Sequence, residues 1–164
     1  MKRDFNAWLS KFRESIADYK YYINFKKVYE NVDALKIELN LLNSLIGSKD
    51  IETDFINLYT KYPEVLKAIP ILLAKRECDI YCQDASGGHL FRFNTDEYKT
   101  EGEKYVYFMR ETGLFDLLES HLINNLIDYV TGVETGLDSN GRKNRGGHLM
   151  EDLVEKKKKK AGFI

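Results

Sequence analysis

Residues 28–47 read VYENVDALKIELNLLNSLIG, and their apolar side chains follow the period of an α-helix. The spacing alternates between four and three residues, which places one apolar stripe along a helix face. The stripe consists of Val28, Val32, Leu35, Leu39, Leu42 and Ile46. Gly47 follows, and glycine takes at low cost the left-handed conformation that commonly ends a helix. This stretch therefore predicts one helix that ends just before residue 47.

Similar spacings on both sides of this segment predict a mainly α protein. Further helices are expected at residues 5–19, 51–59, 102–112 and 115–130, and from about residue 148 onward. In the helix at 115–130, the spacing places Leu118, Leu122 and Leu126 on the buried face. Pro63 is expected to end one helix or start the next, and Pro70 to break the segment that follows.

Residues 78–94 have the pattern of a small β-hairpin. Apolar and polar residues alternate from residue 78 to residue 82, Ala85-Ser86-Gly87-Gly88 is typical of a turn, and 89–93 predicts the second strand. A two-stranded hairpin is marginally stable alone, so it is expected to lie against the helices.

The next pattern is a glycine-rich stretch at residues 131–147, which contains five glycines. It predicts a long, irregular, basic loop, and loops of this length are usually functional or disordered. The expected organisation is a helical domain at 1–130 with the hairpin near 78–94, the loop at 131–147, and a last helix at 148–164.

Composition excludes several classes of protein. The 164 residues suffice for one domain with its own core, and 43% apolar and 13% aromatic content exclude bulk disorder. The apolar runs are too short for a membrane span. Two cysteines cannot define a disulfide framework, so the expected compartment is the reducing cytoplasm.

Charge is distributed unevenly along the chain, although the net charge is only −1. Residues 1–141 hold 17 Lys and Arg against 23 Asp and Glu, whereas residues 142–164 hold 8 against 3. An acidic body with a basic end indicates a localised contact with an anionic partner.

Several candidate sites are weak on their residues alone. Cys78, Cys82 and His89 lack the fourth ligand of a structural zinc site, so buried thiols are the favoured interpretation. His121 lies among leucines and is expected to be a core or interface histidine.

The acidic-x-Lys pattern, which ends the signature of metal-dependent nucleases, occurs three times. The matches are Asp18-Tyr19-Lys20, Glu97-Tyr98-Lys99 and Glu155-Lys156-Lys157. None combines a predicted strand with a second carboxylate beside it, so chance matches are favoured.

The segment from Asn140 to His148 is the most informative one for function. Its Arg and Lys side chains can neutralise phosphates, and Arg or Asn can form paired hydrogen bonds with base edges. The candidate DNA contacts are Arg142, Lys143, Asn144 and Arg145. A solvated basic loop remains the alternative. Lys156–Lys160 is interpreted as a solvated run, because five adjacent residues point all round a helix.

At these residues the sequence resembles the DpnII/MboI group of type II restriction endonucleases. The most specific part is YVTGVETGLDSNGRKNR at 129–145. Further similar stretches are NLLNSLIGSK at 40–49, Tyr62-Pro63-Glu64 with Pro70, Ala74-Lys75-Arg76, GLFDLL at 113–118 and Met150–Val154. The resemblance covers nearly the whole chain.

The resemblance implies an enzyme that cuts double-stranded DNA at unmethylated GATC by Mg²⁺-dependent phosphodiester hydrolysis, acting as a homodimer. Family members are longer, and their PD-(D/E)xK nuclease core lies mostly beyond residue 164. Residues 148–164 are therefore expected to be the opening helix of a truncated α/β core. Glu151 resembles the helix carboxylate that supports the metal site, which makes it the candidate catalytic and metal residue. Two alternatives stay open: an inactive helical module for DNA binding or dimerisation, and a protein-interaction domain.

Overall fold

The described part of the chain forms α-helices and one β-hairpin. In this computed structural model the described residues are 6, 7 and 23–160; in the last helix, side chains 142, 145, 146, 148–150, 152, 153, 157 and 160 are left out of the description. The helices are α1 (Phe25–Asp33), α2 (Lys36–Leu42), α3 (Ile51–Lys61), α4 (Ile69–Leu72), α5 (Tyr98–Glu111), α6 (Leu114–Glu119) and α7 (Leu126–Lys160), the 3-10 helices are Asn43–Leu45 and Pro63–Ala68, and the strands are β1 (Asp79–Asp84) and β2 (Gly87–Arg92). The prediction of a mainly α fold with a small hairpin is confirmed. The predicted helix at 5–19 lies outside the described residues, apart from Asn6 and Ala7, which are helical.

The segment predicted as one helix at 28–46 contains a break. α1 and α2 are separated by residues 34 and 35, and Leu35 has non-helical dihedral angles, with φ −116° and ψ 11°. The single-helix prediction was wrong because the apolar stripe continues across the break, where Val32 and Leu39 are both buried. Gly47 does end the segment, with a left-handed φ of +72°.

Both prolines interrupt helices as expected. α3 ends two residues before Pro63, which begins a 3-10 helix because its fixed φ suits the first turn. Pro70 lies in α4, which ends after four residues. This broken segment is nevertheless a major part of the core, and Val65, Leu66 and Ile69 are almost fully buried.

The hairpin forms at the predicted position, but its turn is shorter than the predicted four residues, because Gly87 and Gly88 belong to β2. β1 and β2 pair antiparallel, and Asp84 opposite Gly87 closes a two-residue turn of Ala85 and Ser86. The hairpin packs on α5: the ring centroids of Phe91 and Phe108 are 4.8 Å apart. Tyr105, also on α5, donates a 2.6 Å hydrogen bond to the carbonyl of Arg92.

The predicted helix at 115–130 is two helices. α6 ends at Glu119 and α7 begins at Leu126. In the connection, His121 is exposed with φ +54° and Leu122 is 76% exposed, so the expectation of a buried Leu122 and the interpretation of His121 as a core histidine were wrong. The break follows from polar capping, because Asn125 Oδ1 accepts the N–H of Ile127 at 2.8 Å and so favours a new helix start.

The glycine-rich segment at 131–147 is part of α7 and not a loop. The residues that α7 buries recur every four positions: Leu126, Val130, Glu134 and Asp138. Gly132 and Gly136 lie on the exposed side, where an added Cβ would meet no atom within 4 Å. The loop prediction was wrong because it considered only the local cost of placing glycine in a helix, which is about 1 kcal/mol per residue. The buried side of α7 is stabilised by residues that are distant in the sequence.

The chain divides into two compact units. One comprises Tyr29–Glu134, and the other comprises Met1–Val28 with Thr135–Ile164. We call them the central unit and the terminal unit. The predicted boundaries at residues 130 and 147 both fall inside α7. Among the described residues, no helix is long and apolar enough to cross a membrane.

Candidate DNA-binding site

The four candidate DNA contacts are consecutive residues of α7. Successive residues of an α-helix are rotated by about 100°, so Arg142, Lys143, Asn144 and Arg145 occupy positions all round it. Lys143 and Asn144 are exposed. Positions 142 and 145 are neighbours on the helix surface because they are three residues apart. The helix therefore replaces the expected loop, and only part of this set can face one DNA groove at a time.

Glu151, the candidate metal ligand, does not join that set. It lies nine residues after position 142, about 13.5 Å further along the axis and on the side of α7 opposite that position, and it lies two turns after Asn144 on nearly the same face. Its side chain is exposed. Among the described residues, no three His, Cys, Asp or Glu side chains form a group that could hold a metal. Mg²⁺ is usually held by one or two carboxylates together with waters and substrate phosphates, so Glu151 would supply one ligand of such a site.

The two compact units have opposite net charges. The central unit holds 10 Lys and Arg against 19 Asp and Glu, a net charge of −9. The terminal unit holds 15 against 7, a net charge of +8. The candidate DNA contacts belong to this basic unit. Its N-terminal part, residues 1–28, adds 7 basic against 3 acidic residues. A comparison of residues 1–141 with residues 142–164 hides this basic excess, because residues 1–28 are then counted with the acidic body.

Two buried carboxylates of α7 were missed by the sequence analysis. Glu134 is 3% exposed and accepts hydrogen bonds from Arg76 Nη2 at 2.5 Å and from Asn31 Nδ2 at 3.0 Å. Asp138 is 7% exposed, and its Oδ2 accepts the backbone N–H of Asn24 at 3.0 Å. A buried carboxylate requires such partners, because it has lost its hydration. These carboxylates therefore position α7.

The other motifs considered in the sequence find no support as metal or nuclease sites. Cys78 is exposed and Cys82 is partly exposed, so the interpretation as buried thiols was wrong. A hairpin of two short strands packs on the helices with one face only, and its other face stays open to solvent. Glu97 is the N-cap of α5 and Tyr98 and Lys99 are its first residues, and residues 155–157 lie in α7, so neither acidic-x-Lys match is on a strand. The match at 18–20 lies outside the described residues.

A polar cluster joins the hairpin turn to α5. His89 Nε2 lies 3.0 Å from Ser86 Oγ and 3.2 Å from Asp84 Oδ1, and Tyr107 donates to Asp84 Oδ2 at 2.5 Å. A Ser-His-Asp triad uses both ring nitrogens, one for each partner, so this arrangement is not a hydrolytic triad. The Ser86 hydroxyl, followed by Tyr107, lowers the pKa of Asp84; the hydrogen bond to Asp84 raises the pKa of Tyr107 to about 12. The cluster stabilises the turn and was not recognised in the sequence.

Comparison with known proteins identifies the class. Residues 4–164 match the family described as DpnII restriction endonuclease, and the chain belongs to that family. This confirms the resemblance found at residues 129–145. No solved structure is significantly similar to the chain.

The individual relatives that match the chain are named as type II restriction enzymes. The chain is 48% identical to the type II restriction enzyme DpnII of Streptococcus pneumoniae, over 99% of this chain and 56% of that protein. It is 38% identical to the type II restriction enzyme MjaIII of Methanocaldococcus jannaschii, over 93% of this chain and 54% of that protein. It is 36% identical to the type II restriction enzyme MboI of Moraxella bovis, over 94% and 55%. The chain thus spans about half the length of these curated relatives.

Proposed function

We propose that this protein is a type II restriction endonuclease that recognises unmethylated GATC in double-stranded DNA and requires Mg²⁺. Membership of the restriction endonuclease family is the observation that carries the proposal. GATC specificity comes from the resemblance to the DpnII/MboI group. A homodimer is part of the proposal, because a two-fold symmetric pair can act equivalently on both strands.

Within this chain, the proposed role of the terminal unit is DNA binding. Its net charge of +8 supplies the cations that neutralise phosphates, which dominate protein–DNA affinity. Arg142, Lys143, Asn144 and Arg145 are the proposed contacts, on a helix whose surface at Lys143 and Asn144 is open to solvent. Residues 148–164 remain the proposed opening helix of the nuclease core, with Glu151 as support for the metal.

A DNA-binding module without cleavage activity is the second candidate. It is favoured by the net charge of +8 on the terminal unit, which accounts for DNA binding without a catalytic centre. The part of the mechanism that is assigned to the described basic residues is to bind and orient DNA.

The first experiment measures the affinity for a short fluorescent duplex with one GATC site over a series of salt concentrations. We expect binding that weakens steeply with salt. Lys143→Ala should weaken it and lower the salt slope by about 0.9, the value of one phosphate contact. The matched control is Lys49→Ala, since Lys49 is a lysine of the acidic unit. Absence of salt-dependent binding would refute both DNA functions and favour a protein-interaction domain.

The second experiment separates the two candidates. Plasmids with unmethylated and adenine-methylated GATC are incubated with the protein and Mg²⁺, with a chelator as control. Cleavage of the unmethylated plasmid alone supports the endonuclease. Specific binding without cleavage supports the DNA-binding module.

A further inference from the structure

A cavity in the central unit combines an apolar floor with cationic side chains. Its volume is about 250 Å³, and it is lined by Leu35, Pro70 and Ile71 together with Lys67, Lys75 and Arg76. Pro70 and Ile71 are buried, whereas the three cationic residues are exposed. The ammonium groups of Lys67 and Lys75 are therefore available to a ligand that enters from solvent.

The charge of this cavity is opposite to that of its unit. Three cations line it against one carboxylate, Glu134, in a unit whose net charge is −9. Three other cavities of the same unit have more carboxylates than cations in their linings. The cavity thus gathers three of the ten cations of an acidic unit, a distribution that favours an anionic ligand.

The Arg76 side chain is held in a fixed position at this cavity. Buried Glu134 accepts from Arg76 Nη2 at 2.5 Å and lies 3.4 Å from its Nε, while the Arg76 side chain is still 45% exposed. Lys67 and Lys75 form no ion pair with any described residue. One oriented guanidinium with two unpaired ammonium groups is suited to a phosphate, whose several oxygens can accept from all three.

We infer that this cavity binds a phosphate group of the DNA backbone through Lys67, Lys75 and Arg76. The choice of DNA as the source of the phosphate rests on the proposed function. Free phosphate has the same chemistry, and the experiments below separate the two sources.

Cys78 offers a direct probe, because it is exposed and lines the cavity. The chain has two cysteines, so Cys82→Ser leaves Cys78 as its single thiol. The rate of alkylation by neutral iodoacetamide is measured with GATC duplex, with inorganic phosphate, and with chloride at equal ionic strength. We expect the duplex to slow alkylation several-fold relative to chloride. Slowing by phosphate alone would refute DNA as the source, and no slowing by either would overturn the inference.

The second test removes the two lysine charges. Lys67→Gln with Lys75→Gln should weaken duplex binding about tenfold and lower the salt slope by up to about 1.8, two contacts of about 0.9 each. The matched control is Lys49→Gln with Lys104→Gln, which removes two charges from the same unit outside the cavity. Circular dichroism checks that both variants fold.

The outcomes distinguish this inference from the proposed function. If the wild-type chain does not bind DNA, the proposed function fails and the inference fails with it. If Lys143→Ala weakens binding but the cavity variant equals its control in affinity and salt slope, only the inference fails.

Discussion

Two substitutions at Gly132 test whether the glycine-rich segment is helical. Gly132 lies in α7, it is exposed, and an added Cβ would meet no atom within 4 Å. Alanine at this site should raise the free energy of unfolding by about 0.8–1.0 kcal/mol, the difference between glycine and alanine in a helix interior. Adding Gly136→Ala, at an equivalent exposed position, should bring the gain to about 2 kcal/mol if the two effects add.

Proline at position 132 should lower the free energy of unfolding if the segment is helical. Gly132→Pro removes a backbone hydrogen bond inside α7 and makes its ring collide with the preceding turn, which costs about 3 kcal/mol or more. Urea denaturation followed by circular dichroism measures both changes. For a slope near ~2 kcal/mol per M, the double alanine variant should shift the midpoint upward by about 1 M. A loop would accept both residues at similar cost, so a proline variant within about 1 kcal/mol of wild type would refute the helix.

Two other glycines serve as controls, because alanine at these positions should lower the free energy of unfolding. Gly113 has φ +78° and open space around it, so alanine there should cost about 1–2 kcal/mol from backbone strain alone. Gly47 has φ +72°, and a Cβ would lie 2.2 Å from the ring of His121, so Gly47→Ala should cost more. Equal effects at all four glycines would show that local backbone conformation does not determine the response.

Three further predictions follow from side-chain hydrogen bonds. Tyr105→Phe should lower the free energy of unfolding by about 0.5–1.5 kcal/mol, because it removes the hydrogen bond from the Tyr105 hydroxyl to the Arg92 carbonyl; an unchanged urea midpoint would contradict this. Asn125→Ala should cost about 1 kcal/mol by uncapping α7, whereas exposed Asn124→Ala should change stability by less than about 0.5; equal effects would contradict the cap. Tyr107 should ionise near pH 12, and its contribution to stability should be complete below about pH 10 and lost as pH rises toward 12, since the folded pKa is the higher one. Phenolate absorbance, as the difference from Tyr107→Phe, should show a lower pKa in Asp84→Ala; no change there would exclude Asp84 as the cause.

Much of the fold is encoded locally and could be predicted from the sequence. The hairpin follows from alternation and from the turn signal at residues 85–88, of which the turn itself uses Ala85 and Ser86; Pro63 and Gly47 act through their own backbone restrictions. The helix breaks at residue 35 and at residues 120–125 could not be predicted, because the apolar period continues through them. The side chains on either side of each break are buried in the same way as those of one continuous helix.

The long helix and its buried carboxylates depend on residues far away in the chain. Glu134 is held by residues 58 and 103 positions away, and Asp138 by a residue 114 positions away. The local pattern of glycines contains no information about these distant partners. The sequence pattern alone therefore predicts a loop where the structure has a helix. Of the candidate site, the basic residues 142–145 could be named from their type, but their distribution around a helix could not.

The opposite charges of the two units have a practical consequence for handling the protein. A net charge of −1 would suggest weak retention on any ion exchanger at neutral pH. With +8 on one unit and −9 on the other, the chain is expected to adsorb both to heparin and to an anion exchanger, each through a different unit. Duplex DNA should elute it from heparin, because DNA and heparin compete for the same cations of the protein.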